Sequence, residues 1–416
     1  MKHIVVIGGG IVGLTTAWSL LERGHSVSVL EREAEVAQGA SHANGGQLSY
    51  RYVSPLADEG VPLKALRWLM DPDGPLRFKP ELSWQQWSWM FAFLRACRAP
   101  VNRRTTSRLL ALGAFSQRAF ARLHEHARLD DIALRDPGKL VVYRKPAEFE
   151  RVAARLKNTG IGPEQALSHD ECVALEPSLQ DNDVRFAGGI FTEGEAVADC
   201  RAVCLRLAER LRAHANFKGF VRSEAQGWRV RAGKVWALNT AHGEVHGDEF
   251  VLAAGLQSRA LVKELGIALP LYPLKGYSLT APIRAEHRPP VVSVTDFERK
   301  ILYARIGDDL RVAAMVDMVG EDLRLDPKRV DSLQRAVRDT FPQAADFDQA
   351  STWAGLRPAT PTGAPILGAT PLRGLWLNVG HGALGFTFSF GAAEILADLI
   401  SGRDAPLPLD GLKFEG

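Results

Sequence analysis

Three glycines near the N-terminus are spaced as in a dinucleotide-binding turn. The pattern Gly8-x-Gly10-x-x-Gly13 follows the apolar run His3–Ile7, typical of a buried strand, and precedes a predicted helix over 14–23. Gly8 allows a tight turn, Gly10 lets a pyrophosphate approach the backbone, and Gly13 lets the helix pack closely on the strand. The free N–H groups of the helix would then face the phosphates. The residues predicted to bind in this way are Gly8, Gly10, Ile11, Val12 and Gly13.

Glu31 supplies the acidic residue that this motif requires. It ends a second predicted strand, Ser26–Leu30, where its carboxylate could accept hydrogen bonds from an adenosine ribose. The run Ile4–Leu21 carries no charge, but consecutive glycines, threonines and a serine interrupt it, so we prefer a βαβ unit to a membrane span or signal peptide. The unit predicts dinucleotide binding, against the alternative of a structural glycine turn. It does not distinguish NAD from FAD.

The composition is that of a globular protein with a large core. The chain has 416 residues, of which 46% are hydrophobic and 24% charged, with a net charge of +3. This length suggests two or three domains, and the composition excludes disorder for most of the chain. A nucleic-acid binder would carry a clearer basic excess. Four cysteines are too few for a disulfide framework and indicate a reducing compartment, and no zinc-ligand spacing is present.

Strand-rich and helix-rich stretches interleave along the chain, which favours domains built from discontinuous segments. We predict an α/β fold with a Rossmann-type nucleotide-binding domain from residues 1–50, 196–266 and 351–416. A mixed-sheet substrate domain is predicted from 51–195 and 267–350. Further predicted elements are a strand over 139–143, a β-meander over 228–254, and helices within 62–128 and over 146–157, 199–213, 327–341 and 389–401.

Several segments, spread over nearly the whole chain, resemble one family. It is the FAD-containing small subunit of bacterial D-amino-acid dehydrogenases, within the group of D-amino-acid oxidase, glycine oxidase and sarcosine oxidase. His42, Gly45 and the aromatic run 386–390 depart from the family pattern. The matching segments are Ser41–Ser49, Gly60–Ala65, Tyr272–Thr280, Gly355–Pro358 and Leu375–Gly385.

The resemblance implies non-covalent FAD in a glutathione-reductase-like fold. A second pattern, Gly380-x-Gly382-x-x-Gly385, precedes the last helix, and its amides could face the pyrimidine end of the flavin and stabilise negative charge there. The alternative is a tight loop without a ligand, and His381 inside it is either a base or a backbone-positioning residue. Further cofactor-binding residues implied are Arg32, Ser41, Asn44, Gly45, Gly46, Gln47, Leu48, Gly255, Gly382, Leu384, Gly385, Phe386 and Thr387.

Arg357 is the main candidate for contact with the substrate. The resemblance places it against the substrate carboxylate, which a planar guanidinium binds through two parallel hydrogen bonds. A surface or structural arginine is the alternative from sequence alone. Tyr277 and Tyr303 are candidates to cover the flavin or to donate a hydroxyl to the substrate, and core aromatics are the equal alternative.

The activity implied by the resemblance is oxidative deamination of a D-amino acid. Hydride passes from Cα to flavin N5, and the imino acid hydrolyses to a 2-oxo acid and ammonia; cyclic D-imino acids such as D-proline or a hydroxyproline also fit. The expected acceptor is a quinone or a dye. Two alternatives remain open, an NAD-dependent dehydrogenase and a catalytically idle membrane-associated binding protein.

A segment rich in tryptophan and arginine bears on location. Residues 84–94 include three tryptophans, and arginines follow over 95–108. Such a segment suits either a membrane interface or a buried helix covered by arginines. With the resemblance, it predicts a cytoplasmic protein that contacts the cytoplasmic face of the inner membrane peripherally.

Overall fold

The computed structural model describes residues 1–71, 73–159, 162–181 and 185–414, and within them the chain forms twenty strands and ten α-helices. The strands are β1 (His3–Ile7), β2 (Ser26–Glu31), β3 (Gln47–Leu48), β4 (Leu76–Phe78), β5 (Lys139–Tyr143), β6 (Glu164–Ser168), β7 (Gly188–Thr192), β8 (Ala196–Val197), β9 (Phe217–Arg222), β10 (Ala225–Arg231), β11 (Lys234–Thr240), β12 (Gly243–His246), β13 (Glu249–Leu252), β14 (Tyr272–Pro282), β15 (Ser293–Asp296), β16 (Ile301–Ile306), β17 (Asp309–Met318), β18 (Ser351–Ala359), β19 (Ile366–Ala369) and β20 (Leu375–Val379). The helices are α1 (Ile11–Glu22), α2 (Val61–Met70), α3 (Trp84–Ala96), α4 (Ala99–Ala127), α5 (Pro146–Thr159), α6 (His169–Leu175), α7 (Cys200–Ala213), α8 (Ser258–Lys263), α9 (Pro327–Thr340) and α10 (Gly385–Ile400).

The first sheet, the nucleotide sheet of the predicted Rossmann-type domain, has the order β19-β20-β13-β1-β2-β9. Its strands run parallel except β19, which is antiparallel to β20. Helices α1, α7 and α10 cover one face, and β1 and β2 contribute buried β-branched residues to the core, as expected of a parallel sheet. This arrangement is the predicted Rossmann-type unit, and α1 lies between β1 and β2 as the sequence indicates.

The second sheet, the substrate sheet of the predicted substrate domain, is large and mixed. Its order is β18-β14-β17-β16-β15-β5-β7-β6, and β4 lies beside the end of β17. Its antiparallel pairs are interrupted where β15 runs parallel to β5. One face packs on α9 around a core that contains Tyr303 and Phe341. The other face meets the loop that follows β2, because Ser278 on β14 donates to the carbonyl oxygen of Ala43 at 2.7 Å.

Helix α10 combines length with strong apolar character. The segment Gly382–Ile400 is long and apolar enough to cross a membrane by length and composition. In the fold, however, it packs against α1 and α4, and Phe388, Phe390 and Leu396 are almost completely buried. It is therefore placed as the central helix of a core.

Three predicted boundaries require correction. Helix α10 begins at Gly385, four residues before the predicted start at Ser389, because the chain turns into a helix directly after the second glycine pattern. The predicted meander ends at β12, since β13 leaves it to pair with β1 in the nucleotide sheet. Strand β18 pairs with β14, so residues 351–359 lie in the substrate sheet and not with the predicted nucleotide-domain segment 351–416.

Candidate active site

A large cavity lies between the two sheets. Its volume is about 2870 Å³, well above the ~300–1,000 Å³ of common small-molecule pockets. Its wall includes residues 8–12 of the first glycine turn, the second glycine pattern, the loop over 41–49 and helix α2, and its floor is the part of the substrate sheet around Gly276 and Arg357. The cavity thus has room for a dinucleotide and a substrate together.

The N-terminal glycine turn has the geometry of a pyrophosphate cradle. Gly8 adopts φ +112°, and a Cβ on Gly13 would lie 1.8 Å from the carbonyl oxygen of Gly8. Helix α1 starts at Gly10 without a side-chain cap. The N–H of Ile11, the first residue of the helix, donates to Ser41 Oγ at 3.1 Å. The turn and the first residues of α1 line the cavity. The predicted roles of Gly8 and Gly13 therefore have a steric basis.

Glu31 lies at the end of β2, beside the glycine turn. Its carboxylate accepts the N–H groups of Gly9 at 2.6 Å and Glu33 at 2.9 Å. Each carboxylate oxygen can accept a second hydrogen bond, so the side chain can also bind a hydroxyl. Arg32, whose guanidinium pairs with Glu33 at 3.1 Å, and Gly255, with φ +56°, line the same part of the cavity.

The loop over 41–49 crosses from the nucleotide sheet onto the substrate sheet. Arg311 donates to the carbonyl oxygen of Asn44 at 2.9 Å, and the Asn44 side chain accepts the N–H of Gly46 at 3.0 Å. Gly45 and Gly46 lie so close to the sheet that a Cβ on Gly46 would be 2.2 Å from Ile306. The end of the loop is tied to α10, because Thr387 Oγ1 accepts the N–H of Ser49 at 3.1 Å. The substrate sheet and α10 therefore fix this loop along the cavity.

Lys139 is a residue that sequence reasoning missed. It starts β5, is 2% exposed, and donates to Gln47 Oε1 and, at 3.1 Å, to Ser49 Oγ. Burial lowers the pKa of Lys139 to about 8, an effect that Glu195 opposes. The strand Lys139–Tyr143 was predicted correctly, but a lysine at a strand start carries no local signal of a cofactor loop. Its position depends on long-range packing.

The second glycine pattern also lies on the cavity wall. Gly380 and Gly382 adopt φ values of +80° and +55°, and α10 begins at Gly385 without a side-chain cap. Within this turn, His381 is 3% exposed, and its Nε2 has no hydrogen-bond partner among the described residues. Burial lowers the pKa of His381 to about 3, so the imidazole is neutral and a weak base at neutral pH.

Arg357 lies on β18 with its guanidinium on the cavity floor. Nη1 donates to the carbonyl oxygen of Met315 at 2.9 Å, and no carboxylate of the described residues lies within ion-pair distance. Burial lowers its pKa to about 10, with Asp317 opposing the change, so the group stays charged at neutral pH. A guanidinium has five N–H donors, and this one has donors left for a ligand. The geometry favours the predicted substrate contact over a surface arginine.

The two tyrosine candidates both belong to the core of the substrate sheet. Tyr303 is fully buried against Phe341, with ring centroids 4.8 Å apart, and is not among the residues that line the cavity. The ring of Tyr277 belongs to the same core, and its hydroxyl donates to Asp317 at 3.1 Å. The position of Tyr303 favours the alternative of a core aromatic, because side chains alternate between faces along a strand. Tyr277 is also among the residues that line the cavity, so its predicted role stays a prediction.

The chain matches a known family model over residues 3–399, and that model describes FAD-dependent oxidoreductases. The chain belongs to this family. It is 47% identical over 420 residues to D-amino acid dehydrogenase 2 of Pseudomonas aeruginosa, with 100% of this chain and 99% of the relative covered. It is 45% identical over 411 residues to D-amino acid dehydrogenase 2 of Ralstonia nicotianae, with 96% and 97% covered. The predicted family is confirmed, and FAD is selected over NAD.

Solved structures share the fold at low sequence identity. Glycine oxidase from Bacillus cereus superposes with a TM-score of 0.75 at 22% identity, covering 100% of this chain and 99% of the other. An L-proline dehydrogenase from P. horikoshii gives 0.76 at 16% identity, with 99% and 96% covered. The predicted fold class, an α/β flavoprotein with a mixed substrate sheet, is confirmed.

The residues present fit FAD on structural grounds. Two helix starts without side-chain caps, α1 and α10, face one cavity, and a Cβ on Gly8 or on Gly380 before them would lie 2.5 Å or 2.7 Å from its nearest neighbour. The buried Nε2 of His381, which has no partner in the part of the chain that the structure describes, adds a polar atom at the same wall. On this geometry Gly10–Val12 and Glu31 would hold the pyrophosphate and ribose, and the loop over 44–48 with Gly382–Thr387 would hold the flavin. The individual contacts remain predictions.

Proposed function

We propose that this protein is an FAD-dependent D-amino-acid dehydrogenase. The two dehydrogenase relatives are similar over their full length, and their names state the activity. The reaction oxidises the Cα–N bond of a D-amino acid to an imino acid, which water hydrolyses to a 2-oxo acid and ammonia. FAD supplies the hydride acceptor when bound.

The position of Arg357 is the observation that carries this proposal. Its charged guanidinium lies on the floor of the cavity without an acidic partner among the described residues, facing the space beside the predicted flavin loop. A carboxylate is the ligand that best matches such a group, because it accepts two parallel hydrogen bonds. Held in this way, the carboxylate has a fixed position and plane, which restricts the directions that the Cα–H bond can take.

No general base is assigned to the chain. Among the titratable side chains on the cavity wall, His381 is a weak base, and the Lys139 ammonium is bonded to Gln47 and Ser49. A substrate that binds with a neutral amine does not have to transfer a proton from its amino group to the protein before it is oxidised. The protein's part is to bind the carboxylate, orient Cα and exclude water.

Anaerobic reduction of the flavin tests the activity directly. The purified holoprotein is mixed with single amino acids in the absence of oxygen, and bleaching of the flavin absorbance is followed. We expect bleaching by D-amino acids and not by their L-enantiomers, and the panel includes D-proline and a hydroxyproline. A flavin that no D-amino acid bleaches would contradict the proposal and favour the catalytically idle alternative.

We further propose that the electron acceptor is a membrane quinone and that the reduced flavin reacts only slowly with oxygen. We also propose that the protein contacts the cytoplasmic face of the inner membrane. Helix α3 is partly buried and partly exposed: Trp89 is buried and donates to the Ala359 carbonyl oxygen at 2.9 Å, whereas Trp84 is 83% exposed. Exposed cations accompany the apolar residues, as at a lipid surface. The exposed apolar surface of α2, α3 and the turn between them consists of Leu63, Leu69, Met70, Leu82, Trp84, Trp87, Phe91 and Leu94, and the cations are Arg67, Lys79, Arg95, Arg98, Arg103 and Arg104.

Sedimentation with lipid vesicles tests this surface. We expect the holoprotein to pellet with vesicles that contain anionic phospholipid, and the double variant W84S/F91S to stay largely in the supernatant, because two exposed anchors are lost. The control is W236S, which removes a tryptophan of 40% exposure on β11, outside this surface. Turnover of a soluble dye verifies that all three proteins are folded. Equal sedimentation of the double variant and the wild type would refute the membrane contact.

A further inference from the structure

The strand pairing beside Arg357 is irregular at one point. Strand β14 pairs with β18 in unbroken register, with Leu274 opposite Arg357 and Gly276 opposite Gly355. Its pairing with β17 shifts, since Lys275 faces Asp317 but Tyr277 faces Ala314. Two residues of β17, Met315 and Val316, therefore lie opposite Gly276. This is a β-bulge, a feature that redirects backbone groups near active sites.

Met315 has an unusual backbone conformation within this bulge. Its φ is +67°, a region that non-glycine residues seldom adopt, and its side chain is buried in the core on the other face of the sheet. The carbonyl oxygen of Met315 accepts Nη1 of Arg357 at 2.9 Å. Beyond the bulge, Asp317 is held by Arg329 at 2.7 Å and by the Tyr277 hydroxyl. The left-handed residue thus directs its carbonyl group to the guanidinium.

Gly276 leaves space for the same guanidinium. A Cβ on Gly276 would lie 2.2 Å from Nη2, 2.4 Å from Cζ and 2.6 Å from Nη1 of Arg357. The side chain of Arg357 therefore crosses β14 directly above Gly276 and reaches β17 on its far side. Any side chain at 276 would occupy the place of the guanidinium plane.

We propose that Gly276 and the bulge at Met315–Val316 form a seat that positions Arg357 for the substrate carboxylate. Gly276 and Met315 are positioning residues: neither needs to touch the substrate, and both act through the orientation of one guanidinium. The inference rests on the proposed function, because it takes Arg357 as the carboxylate anchor. It adds that substitution of Gly276 should affect the binding of carboxylates without affecting FAD.

The test measures benzoate binding to the holoprotein from the perturbation of the flavin absorbance, with FAD content per chain as the measure of folding. We expect G276A and R357A each to raise the Kd for benzoate at least tenfold, and the double variant to lie within about threefold of R357A, because both changes remove one interaction. G355A is the matched control, since its Cβ would lie 1.9 Å from the indole of Trp353 and not at the guanidinium. By whatever factor G355A alone changes the Kd for benzoate, the double variant G355A/R357A should change that Kd by the product of the two single factors.

A second pair of variants changes only the bulge. M315L introduces a side chain without a β-branch, whereas M315I has a similar volume but a β-branch that disfavours a positive φ. We expect M315L to bind benzoate as the wild type does and M315I to bind it at least tenfold more weakly, with normal FAD content in M315L.

The outcomes separate the seat from the proposed function. Unchanged benzoate binding in R357A would overturn the carboxylate assignment and the seat with it. Weak binding in R357A with wild-type binding in G276A would overturn the seat alone. If G276A purifies without FAD, the Met315 pair decides, and equal binding by M315L and M315I overturns the seat.

Discussion

Replacing Arg357 with alanine is expected to reduce kcat/KM by about thirtyfold to several thousandfold for the best D-amino acid. The variant leaves a substrate carboxylate unpaired in a partly dry cavity, which costs about 2–5 kcal/mol when one partner of a buried pair is lost. Steady-state kinetics with a dye acceptor measure the effect. FAD content should not change, because the predicted contact is to the substrate.

The lysine variant distinguishes charge from shape. R357K restores the positive charge but not the planar fork that binds both carboxylate oxygens, so it should recover little activity. Amines that lack the carboxylate should be poor substrates of the wild type and relatively less penalised in R357A. Near-normal kcat/KM in R357A would place the carboxylate anchor elsewhere on the cavity wall.

Replacing Gly13 with alanine is expected to yield protein with less than about a tenth of the normal FAD content. The added Cβ would lie 1.8 Å from the Gly8 carbonyl oxygen, and backbone atoms cannot move away as a flexible side chain can. Helix α1 must shift relative to β1, and its N–H groups then leave the position that the pyrophosphate requires. Flavin absorbance per chain after gel filtration, together with the melting temperature, measures the loss.

The matched control for this variant is G60A. A Cβ on Gly60 would meet its nearest neighbour, Lys64 Cε, at 3.7 Å, which is ordinary contact, and its φ is −81°. G60A should therefore purify with normal FAD. Full flavin content in G13A would show that close packing of α1 on the turn is not required for binding.

The sequence determined those features that depend on neighbouring residues. The glycine turn, Glu31 and the helix between β1 and β2 follow from stereochemistry and periodicity within about thirty residues. Asp199 similarly caps α7 with its own side chain, which accepts the N–H groups of Arg201 and Ala202. Such local rules predicted the strand, the glycine turn and the helix where the structure has them, and the resemblance supplied the identity of the cofactor.

The tertiary structure alone decided how the residues around the predicted substrate site are oriented. The sequence pointed to Arg357, but its orientation depends on Gly276 and on a bulge at Met315, on strands that are distant along the chain. Lys139 reaches Gln47 only because β5 lies beside β15 in the sheet, and Tyr303 faces the core because strand pairing fixed which side of the sheet it occupies. The physical reason is that strand register and facing are set by long-range packing, which no local pattern of residue types specifies.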